Sequence, residues 1–507
     1  MDSWQQIVTT AVLGTERQLP SLLGSGPLGA LLARLPGEEP ERSLLGAAAA
    51  ASLYRRAGRL PRTDPAPLPE PSAQEELPTC SALATPYLEL MLGGKYKEVL
   101  PEWLAAAAAA GRRVPDALLP DLLQAGRQAR ELRPLIQPVL GRRGRWLAAQ
   151  NPEWSYVAEE TEDEGAWETG NRATRQAVLQ QIRARNAAEG RELLEKSWNT
   201  EAPDDRADFL AALETGLSME DEPFLEAALD DRRKEVRRAA ADLLMKLPES
   251  RLSLRMIERV RPLVRFGAAS GTDALKVTLP EACDKAMLRD GIEPRTPAYG
   301  HQNLGEKAGW LLQTVGAVPP SYWQEAWSLA PAEWLELTGN SDWSLALRRG
   351  WVQAAVRHRA EDWAEALLMD RLSSNARLAE YGNAEGLVES LTPARREALA
   401  LRLLQNKERP LERAHPAMAL LQACRHPWSE ALTHLVLERI RERVVAKAAY
   451  DFCLWEPFAQ YIPPSLLQEV ASGWPAEGEG WAYWLPTVNK MISTLQFRRD
   501  MHQELAR

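Results

Sequence analysis

One stretch of 31 residues, repeated along the chain, limits the possible folds more than any other feature. Over 220–250, EDEPFLEAALDDRRKEVRRAAADLLMKLPES, Val236, Ala240, Leu243, Leu244 and Leu247 recur at helical spacing and make one face apolar. Arg238, Asp242 and Lys246 point away from that face. Before them, Pro223, Phe224, Leu225, Ala228 and Leu229 suit a shorter helix with proline in its first turn, and Asp230 and Asp231 occupy the turn between the two. Thirty-one positions earlier, Phe224 falls on Leu193, Leu225 on Leu194, Glu226 on Glu195, Leu229 on Trp198, Arg237 on Arg206 and Leu244 on Leu213. A second step places Arg206 on Arg175, Leu210 on Leu179, Leu213 on Ile182 and Trp198 on Trp167. Fixed-period similarity of this kind predicts stacked helical hairpins, none of which can bury its apolar face alone.

At 507 residues the chain exceeds the size of a single economical core, so two or three packed modules are expected unless a repeat array escapes that limit. Its 45% hydrophobic and 26% charged residues suit a folded chain, neither disordered nor membrane-spanning. A net charge of −9 weighs against a dedicated nucleic-acid binder. Cys80, Cys283, Cys424 and Cys453 form no C-x-x-C pair, which predicts a reducing compartment. The N-terminus, MDSWQQIVTTAVLG, lacks the basic start of a signal peptide, and no apolar run reaches the length of a membrane span. A cytoplasmic protein with no membrane partner is expected.

Residues 1–60 read as an N-terminal helical segment, with amphipathic helices at 3–14 and 41–58. Six prolines in 61–78 predict an extended, solvated linker. A helical module follows over 79–150, where the alanine run at 105–110 suits close packing. Segment 151–170 reads as an exposed acidic loop, because 153–168 holds seven acidic residues and no basic one. The repeat core occupies 171–267. An irregular insertion over 268–303, with Gly271, Gly291 and a β-prone run at 275–279, reads as a loop excursion or a small hairpin. A tryptophan-rich helical-repeat module fills 304–507.

Motifs for small-molecule chemistry are weak. Gly24, Gly26 and Gly29 spell G-x-G-x-x-G, but no strand precedes them and Pro27 sits inside, so a Gly/Pro loop between helices is expected. Gly93-Gly94-Lys95 lacks P-loop spacing. Cys424, His426 and His434 come nearest to a metal set, yet Pro427 interrupts them and no carboxylate sits at ligand spacing, so they read as packed or solvent-facing. There is no G-x-S-x-G elbow. Catalytic, cofactor-binding and metal residues are therefore assigned to none.

Charge is more informative. Between 232 and 265 stand eleven Lys/Arg against four Asp/Glu, and Arg251, Arg255 and Arg259 share a helix face. With Arg233, Arg238 and Arg265 they form a candidate partner surface; the other reading is a solvated face balanced by the acidic 153–168 stretch. Of eighteen tryptophans, seven crowd into 310–363, as a ligand cage or, in the reading preferred here, as filling between helices.

The pattern V-R-x-x-A-x-x-x-L, present as Val236, Arg237, Ala240 and Leu244, resembles HEAT-like repeats in a short bacterial version. That resemblance implies a structural ladder in which Arg175, Arg206 and Arg237 meet acidic turn residues of neighbouring hairpins. Adding A-V-L-G-T-E-R at 11–17, the proline-rich gap, N-P-E-W at 151–154 and the run from R-E-L-L-E-K-S-W to L-P-E-S over 191–250, the chain resembles an uncharacterised bacterial family of HEAT-like helical proteins. Genes of that family lie near those for a MoxR-type AAA ATPase, a von Willebrand factor A-domain protein and a SWIM zinc-finger protein. The fold implied is all-α, a right-handed α-solenoid of HEAT-like helical hairpins with a helical N-terminal module. The function implied is a non-enzymatic scaffold or adaptor for a protein partner, the AAA ATPase or A-domain protein among the candidates. HEAT-like folds also occur in DNA-binding proteins and alkylpurine-type DNA glycosylases; in that alternative the basic stripe and Trp198, with Asp204, Asp205 or Asp208, would act. A third reading, a HEAT-like lyase or maturation factor for a small ligand, requires a deep pocket.

Overall fold

The computed structural model describes residues 3–17, 26–35, 39–57, 69–157, 164–266, 275–295, 304–339, 341–373, 383–445, 454–477 and 480–506. Its described residues are mostly helical, with almost no strand. The chain divides into two compact units, 1–72 and 73–507.

In the first unit, α1 (Ser3–Leu13) and α2 (Gly26–Leu32) both pack on α3 (Pro40–Ala57). Its core is small, made of Ile7, Leu32, Ala47 and Ala51, with Arg55 lying 5.3 Å from the Trp4 ring. The expected Gly/Pro loop is corrected here. Gly26, Pro27 and Gly29 open α2, because proline is tolerated in a first turn, and Gly24 lies outside the described residues.

The second unit starts with a segment that is not a free connector. Of the 61–78 stretch, 61–68 lie outside the described residues, while Glu75 accepts the backbone N–H groups of Arg142 (3.0 Å) and Arg143 (2.7 Å). Those amides start a helix, where a carboxylate complements the dipole. Leu77 and Pro78 offer their carbonyls to Arg113, whose own carbonyl accepts from Cys80. There follow α4 (Thr85–Leu92), α5 (Leu100–Ala109), α6 (Leu119–Gln128), α7 (Arg133–Ile136) and α8 (Gly141–Ala149). Their core of Leu88, Trp103, Leu122, Val139 and neighbours is completed from the far end of the chain by Phe497, Met501 and Leu505.

The expected acidic loop is likewise corrected in its described parts. Residues Pro152–Val157 form a 3-10 turn with Val157 buried, and Glu164–Thr169 form α9 with Trp167 buried; 158–163 lie outside the described residues. Burying Val157 and Trp167 outweighs the repulsion of a one-sign charge run.

The repeat region holds α10 (Arg172–Arg185), α11 (Ala187–Ser197), α12 (Pro203–Ala212), α13 (Glu222–Ala228), α14 (Lys234–Leu244) and α15 (Arg251–Leu263). Polar side chains fix the starts: Asn171 accepts from Thr174 N, Asn186 from Glu189 N and Ser250 from Ser253 N. Contacts run α10 to α11 and α12, α12 to α14, and α14 to α13 and α15. Arg183 lies at the centre with no exposed side-chain surface. It donates to both oxygens of Asp221 (2.8 and 2.9 Å) and to the carbonyls of Ala187, Leu213 and Thr215.

After α15, β1 (Val264–Phe266) pairs antiparallel with β2 (Leu275–Val277), and α16 (Lys285–Arg289) follows. The described part of the 268–303 insertion is packed, since Met287, Asp290 and Ile292 are buried.

The remaining helices are α17 (Glu306–Ala317), α18 (Pro320–Trp327), α19 (Pro331–Thr338), α20 (Ser344–His358), α21 (Glu361–Ser373), α22 (Ala384–Ser390), α23 (Pro393–Gln405), α24 (Ala417–Ala423), α25 (Glu430–Val445), α26 (Leu467–Ala471) and α27 (Trp481–Leu505). One apolar core runs from Trp167 to Leu495 across both helical segments, because α15 packs on α17 and α17 on α20. Within it Trp323, Trp334, Trp351 and Trp363 are fully buried, with neighbouring rings 5.2–5.9 Å apart. The Nε1 atoms of Trp334 and Trp363 donate to the carbonyls of Trp323 and Pro320. Those rings are filling between helices, closed to any ligand. Among the described residues no helix is long and apolar enough to cross a membrane.

Two expected outcomes test this packing. Asp221→Asn, which leaves the buried Arg183 charge without its counter-ion, should lower stability by roughly 3–5 kcal/mol in urea unfolding. Met501→Ala, at a fully buried position of the joint between the 80–157 core and α27, should cost about 2–4 kcal/mol.

Candidate functional site

The arginine face of α15 within the basic stripe is paired with carboxylates of the same chain. Arg251 forms a two-point pair with Glu222, Nε to Oε1 at 2.7 Å and Nη2 to Oε2 at 2.9 Å. Arg255 reaches Glu226 at 3.0 Å and Asp290 at 2.6 Å, and Arg259 reaches the second Asp290 oxygen at 2.5 Å. A fourth arginine, Arg289, joins Glu226 (2.9 Å) and Asp230 (2.6 Å). Hydrogen bonds from Arg251 and Arg289 hold the Glu222 and Asp230 carboxyls below their ordinary range. Among the described residues these counter-charges come from α13, its following turn and Asp290; of the 153–168 stretch proposed as the balance, 158–163 lie outside the described residues. Proximity explains this: α13 and α16 flank the arginine face of α15, so the pairs form over a single contact.

The other members of the candidate partner surface are dispersed. Arg238 is exposed, 3.6 Å from Glu293 and 4.0 Å from Asp242. Arg233 is exposed in the turn before α14, and Arg265 is exposed on β1 opposite Lys276. These six arginines therefore do not converge on one site.

The ladder arginines have distinct partners. Arg175 binds both oxygens of Glu201 (2.9 and 2.5 Å) and lies 4.4 Å from the Trp167 ring. Arg206 donates to Asp231 Oδ2 at 2.9 Å and lies 5.4 Å from the Trp198 ring. Among the described residues Arg237 donates only to the carbonyls of Asp231 and Arg232. Arg183, which clamps the same region most tightly, has no counterpart at the 31-residue period and carries no sequence signal beyond its helical position.

The nearest metal candidates are drawn apart. Cys424 is buried, His426 sits 3.4 Å from Glu397, and His434 pairs with Glu469. Among the described residues no three His, Cys, Asp or Glu side chains gather as a metal site. Cys453 lies outside them.

What the fold does assemble is a cleft of about 760 Å³ between α14 and α20, floored by α12 and α17. Asp242 and Lys246, on the polar face of the repeat helix, form one wall, with Ala239 and Leu243. Arg349, Val352, Gln353, Val356 and Arg357 recur at helical spacing along the other. Arg359 stands beyond them, exposed, in the left-handed region at φ 47°. Glu214 reaches in from the end of α12 and pairs with Lys246. A second cavity of about 170 Å³ adjoins, sharing Asp242, Gln353 and Arg357.

Electrostatics in the cleft are poorly compensated. Burial raises the Asp242 carboxyl above its ordinary value, against the pull of Arg357, Arg238 and Lys246. Burial lowers the Arg357 guanidinium, with Asp242 opposing, and the single hydrogen bond of Arg357 among the described residues goes to the Gly316 carbonyl. Behind it, His358 has a buried Nε2 without a geometrically sound hydrogen bond among the described residues, and burial with the Arg357 charge pushes its pKa down to about 4, against a raising contribution from the Met245 backbone. Burial does the same to His415, whose Nδ1 accepts from Ala417 N. The arrangement suits recognition of an amphipathic anion, since cations and aliphatic side chains alternate across one surface.

A pH dependence of stability follows. A histidine whose folded-state pKa lies below its unfolded value binds fewer protons when folded. Its stabilisation is complete above about pH 6.5 and is lost as pH falls toward 4. For the buried His415, acidification from pH 7 to 5 should cost roughly 1–2 kcal/mol. Urea unfolding at both pH values should show that cost in the native chain and a flatter response in His415→Asn, which keeps an acceptor near Ala417 N.

No curated protein and no solved structure matches this chain. A model of a family of unknown function, DUF5691, matches residues 6–505, nearly the whole chain. The protein is thus a member of the DUF5691 family.

Proposed function

We propose that this chain is a non-enzymatic interaction scaffold, an α-solenoid of HEAT-like hairpins that holds a protein partner in the cytoplasm. The observation that carries this reading is the pair of bridges Arg175–Glu201 and Arg206–Asp231, which join consecutive hairpins from matching positions of the 31-residue period. Ion pairs of that kind fix neighbour against neighbour and leave the outward helix faces available, which is how repeat arrays obtain long binding surfaces. The cleft between α14 and α20 supplies such a surface. A MoxR-type AAA ATPase or a von Willebrand factor A-domain protein is the partner suggested by the gene neighbourhood of the family that the sequence resembles.

The DNA glycosylase alternative loses its main supports. Arg251, Arg255 and Arg259 are engaged by carboxylates, Trp198 packs 5.0 Å from the Phe224 ring, and Asp205 and Asp208 face Arg172 at 3.9 and 3.3 Å. The small-ligand reading retains one, the volume of the cleft.

Purification of the full chain from cells that carry its gene, after mild crosslinking and nuclease treatment, tests the scaffold reading by mass spectrometry. The expected outcome is an AAA ATPase or A-domain protein crosslinked to this chain and retained after nuclease. Recovery of nucleic acid alone, removed by nuclease, overturns the reading in favour of the DNA-binding alternative.

A further inference from the structure

We propose that the cleft between α14 and α20 receives an acidic peptide segment of the partner, its carboxylates held by Arg357 and Arg359 and its aliphatic side chains laid on Ala211, Ala239 and Val356. The proposal rests on the scaffold reading and adds the chemistry of what is recognised.

Charge complementarity is the first argument. The cleft lining holds four cations against two carboxylates in a chain whose net charge is −9, so it is a local positive site on an acidic protein. One of those cations, Lys246, is already tied to Glu214. Arg357 donates only to the Gly316 carbonyl among the described residues, which leaves further guanidinium N–H donors for an anion in the cleft. Arg359 has no ion pair among the described residues and stands exposed at the end of α20.

The walls decide between anions. A phosphate or a nucleic-acid backbone would satisfy the arginines and leave the apolar surface of Ala211, Ala239 and Val356 wet, and among the described residues the lining contains no aromatic ring on which a base could stack. A segment with carboxylates and leucine-like side chains covers both kinds of surface at once.

Fluorescence anisotropy with the full chain and a fluorescein-labelled peptide of leucines and glutamates provides the test. Binding should weaken as salt rises and should be lost when every glutamate of the peptide is replaced by glutamine. Arg359→Asn, acceptable to a left-handed helix end, and Arg357→Gln should each weaken binding by about tenfold. Arg265→Asn, outside the cleft, should leave it unchanged. Asp242→Asn, which removes a like charge, should tighten it. Melting curves identify any variant that fails to fold, and Arg359→Asn carries the test if Arg357→Gln does. Equal affinity for the glutamine peptide, no effect of Arg359→Asn, weaker binding by Asp242→Asn, or tight binding of decanoate without the peptide each overturns the proposal. In the crosslinking experiment, a partner retained equally by Arg359→Asn removes this inference and leaves the scaffold reading intact. Loss of every partner from the native chain removes the scaffold reading itself.

Discussion

Buried arginines that clamp backbone carbonyls hold the second unit together. A helix ends with carbonyl groups that have no partner inside it, and short helices joined by tight turns leave many of them. Arg183 answers this by donating to the Leu213 and Thr215 carbonyls that follow α12, and also to the Ala187 carbonyl, while Asp221 balances its charge. Arg348 repeats the device on Leu335 and Gly339 with Asp370, and Arg498 on Ala459 and Ile462 with Glu102. A guanidinium suits the task because its donors form a planar fork and its charge persists at any physiological pH. Removing only one partner of such a set leaves an uncompensated charge in the core, so each clamp acts as a unit.

The same chemistry governs the surface. Four arginines and four carboxylates around α15 and α16 neutralise one another, converting what looks like a cationic stripe into a joint between helices. Where no carboxylate is well placed, charge stays available. Among the described residues Arg357 and Arg359 form no ion pair, on the far wall of a cleft whose near wall carries Asp242. Contrast between satisfied and unsatisfied arginines, more than the number of positive residues, distinguishes a structural region from a recognition surface.

Two parts of the chain that are distant in sequence depend on each other. The core of 80–157 contains Phe497, Met501 and Leu505 of α27, and Arg498 and His502 both contact Glu102 on α5. The module at 79–150 is therefore not self-contained, and the C-terminal helix is part of its interior. The proline-rich stretch shows the same dependence at shorter range, since Glu75 and Leu77 are anchored on α8 and Arg113.

Local periodicity determined much of this protein from sequence alone. The apolar stripe Val236, Ala240, Leu243, Leu244 fixed a helix and its buried face, and the position of Asp242 and Lys246 on the opposite side already marked the polar wall of the cleft. Proline in the first turn of α13 was equally legible, because helix starts are set by a few neighbouring residues. What the sequence could not show was which charges would meet. Arg255 lies 35 residues from Asp290 and Glu102 lies 396 from Arg498, with no periodicity linking either member to the other. Helix propensity and amphipathicity are properties of neighbours along the chain, whereas ion pairing, desolvation and the shape of a cleft depend on neighbours in space. Only the tertiary structure decided those, and with them which of the described arginines are paired with carboxylates.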